Sequence, residues 1–351
     1  MSVTTVQEKL AAMGATFGSY RGADTAMSFG NAAREFQALL LTSGIFDVSW
    51  QVKLVLSGED RMRWLNGMVT NNIRDLAPNH GNYSFLLNAQ GRIQGNLAAY
   101  NRGDYLLVTT DRDQGAKIAA VFDQYIIMDD VEVSDISTKL ATIGLVGPNA
   151  AELLQSAGID ISTLQPGQVL DTVWRDLGIS VARDSQPQSE SYEIWFAADN
   201  FDKIWEILVF TGAKPVGAEA LEQYRIARGV PRFGVDLRDR DLPQETGQTH
   251  VLNFTKGCYI GQEIVERIRS RGNVHRTFTG FALETEAPQP GSKVRAGDRD
   301  VGEITSAARV PFPSGERILA LGYLRRELAE PGTPVEINGQ SATVESLPFN
   351  H

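Results

Sequence analysis

Lys256-Gly257-Cys258-Tyr259-Ile260-Gly261-Gln262-Glu263 holds the only cysteine of 351 residues, set between two glycines, with a lysine before it and an amide–carboxylate pair after it. Apolar residues at Val251, Leu252, Phe254, Ile264 and Val265 flank the stretch and place it beside a core. Gly257 and Gly261 allow turns closed to residues with a Cβ, or the close approach of a ligand. A basic run follows at Arg267, Arg269, Arg271, His275 and Arg276. The stretch reads as a loop leading into a helix or strand, with a thiol among cations that would lower its pKa. The plain alternative is a small buried hydrophobe with glycines chosen for packing.

Outward from this stretch, length predicts two to three domains with ample cores. The composition, 42% hydrophobic and 22% charged, is that of a globular protein. One cysteine excludes a disulfide framework within the chain, and His80, His250, His275 and His351 show no metal-ligand spacing. No apolar run is long enough to cross a bilayer. Met1 to Leu10 lacks a basic segment followed by an apolar core, so no signal peptide and a cytoplasmic location are expected. The net charge of −10 argues against direct nucleic-acid binding. An anionic ligand must then meet a local cluster, such as the basic run after Lys256; the other reading of that run is a solvated strip paired with acids.

In chain order, residues 1–50 predict an irregular, partly helical start, with helical spacing at Ala33, Phe36, Leu39 and Leu40. Val52–Leu56 alternates as a strand, and Ser57 with Asp60 suggests a capping box opening a helix that ends near Thr70. Tyr83–Leu87 and Ile93–Tyr100 form a hairpin turning at Gly91. Strands are expected at Tyr105–Thr110, Lys139–Val146, Val181–Arg183 and Tyr192–Ala197. Asp104–Val108 followed by Lys117-Ile118 parallels Ser191–Trp195 followed by Lys203-Ile204, a strand–helix unit used twice. Gly217–Arg228 is a helix closed by Gly229. From Thr277 five short strands predict a small antiparallel barrel or sandwich.

The octapeptide resembles the signature of the YgfZ-type proteins, a folate-binding branch related to the aminomethyltransferase (T-protein) of the glycine cleavage system. Gly44-Ile45-Phe46-Asp47-Val48-Ser49 is similar to a T-protein stretch, Tyr83, Asn88 and Gly91 to its hairpin, and Arg225, Gly229 and Pro231 to the end of its later helix. The resemblance runs from about Phe46 to Phe281. It implies an α+β, three-domain aminomethyltransferase-like fold: two related α+β domains plus a small C-terminal antiparallel β-barrel. The expected boundaries are 1–50 with 136–250 for a discontinuous folate-binding domain, 51–135 for the second, 251–276 for the signature segment and 277–351 for the barrel. It also implies tetrahydrofolate as cofactor in a central hole, held by Tyr83, Asn88, Asn96, Glu190, Glu193 and Arg225. The family's pterin-binding glutamate aligns with Ser189, one residue before Glu190. Cys258 and Lys256 are the candidate catalytic pair, and no metal site is expected.

One departure separates the branches. The transferases carry paired aspartates in the strand after the hairpin, where this chain has Gly95-Asn96. An amide accepts no proton and stabilises no developing positive charge as a carboxylate does. Glycine-cleavage activity is therefore not expected. The resemblance implies a tetrahydrofolate-binding protein that supports iron–sulfur cluster assembly or repair and tRNA thiomodification, with iron–sulfur proteins or assembly factors as partners. The alternatives are a folate-dependent aminomethyltransferase or demethylase, and a non-catalytic scaffold. Cys258 has three open roles: transient cluster ligand, redox-sensitive thiol, or acceptor of a one-carbon unit.

Overall fold

The computed structural model describes residues 6–185, 190–272 and 274–350, apart from the side chain of Arg271. The chain divides into two compact units. One comprises the residues up to Gly67, Asn71–Ser84 and Leu97–Ala220; the other comprises Met68–Thr70, Phe85–Asn96 and the chain from Leu221 onward.

The first unit opens with α1 (Val6–Ala12), the hairpin β1 (Thr16–Tyr20) and β2 (Ala23–Ser28), α2 (Ala32–Leu41) and β3 (Gly44–Asp47). Next come β4 (Gln51–Ser57), α3 (Arg61–Met68), β5 (Gly81–Leu87), β6 (Ile93–Asn101), β7 (Leu106–Asp111), α4 (Arg112–Tyr125) and β8 (Glu132–Asp135). A second series follows: β9 (Leu140–Val146), α5 (Ala150–Ser156), β10 (Val169–Trp174), β11 (Leu177–Arg183), β12 (Ser191–Ala197), α6 (Phe201–Thr211) and β13 (Lys214–Pro215). Both series run strand, helix, three strands, helix, strand. They also build the same sheet order, β5-β6-β7-β4-β8 and β10-β11-β12-β9, the latter extended by β3 and β13. The strand–helix repeat read from the sequence is thus one part of a repeat that spans two whole sheets. Leu107, Val169, Ala182 and Trp195 pack the two sheets face to face in a small shared core.

Local chemistry sets the elements. Asn31 caps α2 by accepting from the Arg34 amide at 3.0 Å. Buried Glu35 on that helix accepts from the amides of Phe29, Asn31 and Gly217, at 2.8, 3.1 and 2.8 Å, which ties the turn before α2 and the chain at Gly217 to one carboxylate. Trp205, fully buried on α6, stacks on Phe201 at 5.5 Å. Burying such a ring stabilises by roughly 3 kcal/mol. The residues up to Ser49 are more regular than their composition suggests. The turns of β1–β2 and β10–β11 each have two residues, Arg21-Gly22 and Arg175-Asp176, all with positive φ. Such turns match the twist of paired strands. Three of those four positions carry no glycine to announce them. The expected capping box at Ser57 is also displaced: the helix begins after Asp60, whose carbonyl accepts from the Trp64 amide while its carboxylate accepts from the Asp130 amide.

The second unit holds α7 (Ala218–Ala227, its first turn counted with the first unit), α8 (Gln262–Arg271) and the tip of the β5–β6 ribbon. Its barrel closes six strands: β14 (Arg276–Leu283), β15 (Lys293–Ala296), β16 (Arg299–Phe312), β17 (Gly315–Arg325), β18 (Pro334–Ile337) and β19 (Gln340–Glu345). Closure leaves no open sheet edge. The strand not foreseen, β15, is short and sends only Val294 fully into the core.

The octapeptide keys onto the ribbon's turn. Gly261 has φ +81, and a Cβ there would lie 2.5 Å from the Asn88 carbonyl oxygen; a Cβ on Gly91 would lie 2.8 Å from Ile264. Gly257 has ordinary backbone and open space around it, so the freedom expected of both glycines is needed only at Gly261. Gly261→Ala should therefore destabilise the protein by at least about 2 kcal/mol, and Gly257→Ala by no more than about 0.5 kcal/mol. Urea denaturation of the two variants checks this; equal midpoints would show that the contact is not restrictive.

Candidate functional site

A cavity of ≈370 Å³ opens in the first unit between strands of the two sheets. Asn82 and Tyr83 on β5, Ala98 and Tyr100 on β6, Arg183 on β11 and Glu193 on β12 line it, with Arg21 at the β1–β2 turn. Glu193 is oriented from two sides: Gln51 Nε2 donates to Oε1 at 3.1 Å and Trp195 Nε1 to Oε2 at 2.9 Å. Each carboxylate oxygen keeps a lone pair for a further donor. Tyr100 meets Trp195 edge to face at 4.8 Å. Burial, then the charges of Glu193 and Asp184, push the Tyr100 phenol well above its ordinary pKa. Arg183 Nη2 donates to Glu190 Oε1 at 3.2 Å, while its Nε is buried without a partner among the described residues. The cavity thus presents the carboxylates of Glu193 and Asp184, aromatic surface and two guanidinium groups, Arg183 and Arg21, the latter paired with Asp111 at 3.0 Å.

The structure brings Tyr83 and Glu193 together at this cavity and leaves the other expected residues off its lining. Glu190 stands behind it, bound to Arg183 and to the Tyr192 hydroxyl at 2.7 Å. Asn96 is half-buried on β6, two residues before Ala98 on the same face of that strand. Asn88 Oδ1 accepts from the amides of Gln90 and Arg92, both at 3.0 Å, which makes it a turn-forming residue in the second unit. Arg225 is buried there, with Asp236 and Glu222 at 2.6 and 2.5 Å and Ser306 at 2.9 Å. Its guanidinium is a structural cross-link, which departs from the cofactor-holding role expected of it. Ser189 lies outside the described residues. Arg21, Tyr100 and Arg183 were not foreseen; nothing local in the sequence marks them, because the sheet order alone assembles them.

In the octapeptide, Cys258 is exposed. Lys256 turns away from solvent: its Nζ donates to the Val69 carbonyl at 2.6 Å and lies 4.9 Å from the Tyr259 ring centre. Three of the cations after it have partners of their own. Arg267 pairs with Glu263, Arg269 with Glu266 and the Phe254 ring, and Arg276 with Asp241 and Glu245. The basic run is therefore largely an ion-paired strip, against the expectation that its charges gather on the thiol. Among the described residues, no group of three or more His, Cys, Asp or Glu side chains is placed to hold a metal ion.

The profile of the GCVT N-terminal domain matches residues 6–256, and that of the glycine cleavage T-protein C-terminal barrel domain matches residues 276–349. The chain belongs to the GCVT family. Similar proteins include an aminomethyltransferase of Rubrobacter xylanophilus, 28% identical over 99% of this chain and 93% of that protein. Another is an aminomethyltransferase of Thermus thermophilus, 28% identical over 99% of both chains. The crystal structure of glycine cleavage system aminomethyltransferase T from Bartonella henselae superposes with a TM-score of 0.87 at 20% identity, over 99% of this chain and 98% of that one. The fold expected from the sequence, two related α+β domains and a small antiparallel barrel, is the fold of this family. No helix among the described residues is long and apolar enough to cross a membrane.

Within this GCVT-family frame Lys256 reports on the seating of the signature segment. Burial pushes its ammonium down to about 7. An unfolded lysine titrates near ~10.4, so the unfolded chain binds the proton more tightly. Stability should therefore rise with pH between about 7 and about 10. The wild type should gain on Lys256→Met across that window, measured by urea denaturation at several pH values. A constant difference would mean that Lys256 is not seated on the Val69 carbonyl.

Proposed function

We propose that this protein binds tetrahydrofolate in the cavity bordered by Tyr83, Tyr100, Arg183 and Glu193, and that it is a YgfZ-type member of its family. The observation that carries the binding proposal is Glu193, an acceptor aimed by Gln51 and Trp195 beside an aromatic wall and two guanidinium groups. A pterin offers paired donors that a carboxylate reads and a flat face for aromatic contact. Arg183, whose Nε has no partner among the described residues, supplies a donor suited to the anionic end of a folate, whereas Arg21 is already paired with Asp111. When bound, the cofactor supplies a carrier for one-carbon units; this chain's residues bind and orient it.

The YgfZ-type reading rests on the octapeptide and on Gly95-Asn96 in place of paired aspartates. On that reading the protein supports iron–sulfur cluster assembly or repair and, through it, tRNA thiomodification. Cys258 is the exposed group available for it. Full-length similarity to proteins named aminomethyltransferase favours a second reading, a folate-dependent aminomethyl or methyl transferase. That reading needs a base other than an aspartate at Asn96.

Tetrahydrofolate should give heat in a calorimeter and stabilise the fold by roughly 2.7 kcal/mol at a hundredfold excess over its dissociation constant. Glu193→Gln and Arg183→Met should each weaken it by about tenfold or more, roughly 1.4 kcal/mol. No heat and no melting shift with the wild type would refute the binding proposal.

Turnover separates the two readings. With tetrahydrofolate and an aminomethylated carrier protein, the wild type should show no transfer above background. Measurable transfer would overturn the assembly reading in favour of the transferase.

A further inference from the structure

A second cavity, ≈450 Å³, lies in the first unit. Gln51, Lys53, Asp47 and Thr142 line its polar part, and Leu140 and Phe201 contribute apolar surface. Lys53 and Thr142 are each 2% exposed and Asp47 9%. Thr142 Oγ1 and Gln51 Oε1 are buried with no hydrogen-bond partner among the described residues. Buried polar atoms in native proteins are almost always bonded, so two unmet groups on residues that line one cavity point to a ligand. The Glu193 carboxylate, which lies near Lys53, is already held by Gln51 and Trp195, leaving the Lys53 ammonium and the Asp47 carboxylate as the buried charged pair of the cavity, with exposed Arg112 and Asp24 also on its lining.

We propose that this cavity binds a small zwitterionic α-amino acid with an apolar side chain. Its carboxylate accepts from the Lys53 ammonium and the Thr142 hydroxyl. Its ammonium donates to Gln51 Oε1 and Asp47, and its side chain rests on Leu140 and Phe201. A ligand of zero net charge satisfies both signs without leaving a buried ion unbalanced, which a simple anion or a simple amine does not do. The volume falls in the range of small-molecule sites. Burial raises the Asp47 carboxyl to about 6 against its hydrogen bonds to Ser49 and Val48, and lowers the Lys53 ammonium to about 8 against the attraction of Glu193 and Asp47. The site is separate from the folate cavity, and either can fail without the other.

The test uses the full chain and three probes: leucine, isocaproate (leucine without its amine) and isoamylamine (leucine without its carboxylate). Leucine should bind by calorimetry or by ligand-detected magnetic resonance, with each half weaker by about tenfold or more. Lys53→Met should weaken leucine and isocaproate while sparing isoamylamine. Should that variant not fold, Thr142→Val serves: it removes an unpartnered hydroxyl, so its melting temperature should be equal or higher while leucine weakens by about tenfold. No binding of leucine at millimolar concentration, halves that bind as well as the whole, or unchanged leucine affinity in Thr142→Val would each overturn the proposal.

Discussion

A charged carboxylate can sit inside a protein only where donors replace the water it gives up. Glu193, half-buried at the cavity, has such donors. It stands on β12 with Gln51 of the opposing sheet on one oxygen and Trp195 of its own strand on the other. Around that arrangement the first unit puts aromatic surface, with Tyr100 against Trp195, and the buried cation Lys53. The requirement explains why the two sheets are placed as they are. The repeated strand–helix–three-strand–helix–strand order puts β4 in one sheet and β12 in the other, and the Gln51–Glu193 bond joins the two. Two cavities of that unit meet at the Gln51–Glu193 bond, one lined by Gln51 and the other by Glu193.

The second unit solves a different problem, that of holding a barrel against a short helix and an irregular chain. It does so with ion pairs enclosed by the fold. Asp236, fully buried, receives Arg225, Thr305 and Ser306, and Asp241, also buried, receives Arg276 and the Arg238 amide. Removing one member of such a pair leaves a buried charge without a partner, which costs several kcal/mol, so these residues are constrained by stability alone. The octapeptide shares in this constraint. Gly261 fits the Asn88 carbonyl, and Lys256 is anchored on Val69, while Cys258, like Gly257 and Glu263, faces solvent.

Much of the fold was legible in the sequence. The β5–β6 hairpin was readable because Gly91 marks a turn between two alternating runs, and α2 because Asn31 stands before a helical spacing of Phe36 and Leu39. The β1–β2 and β10–β11 hairpins were not, since Arg21, Arg175 and Asp176 adopt left-handed backbone without a sequence sign of it. Of the residues expected from the resemblance, Tyr83 and Glu193 line the candidate cavity. Arg21, Tyr100 and Arg183 reach the cavity from three different strands or turns, an outcome of sheet order that no local spacing encodes. Arg225 shows the converse: an arginine in a familiar stretch reads as a ligand holder until its buried partner Asp236, eleven residues on, is seen. Lys53 and Thr142 look like ordinary strand residues and acquire meaning only from the cavity they face.

The central claim is that Glu193 and its aromatic neighbours form a reader of a pterin. A crystal structure with tetrahydrofolate tests it most directly. The account predicts the pterin's donor edge on the Glu193 carboxylate, its ring near Tyr83 and Tyr100, and Gln51 and Trp195 still bonded to Glu193. A folate bound elsewhere, or a pterin in this cavity with Glu193 unengaged, would contradict it.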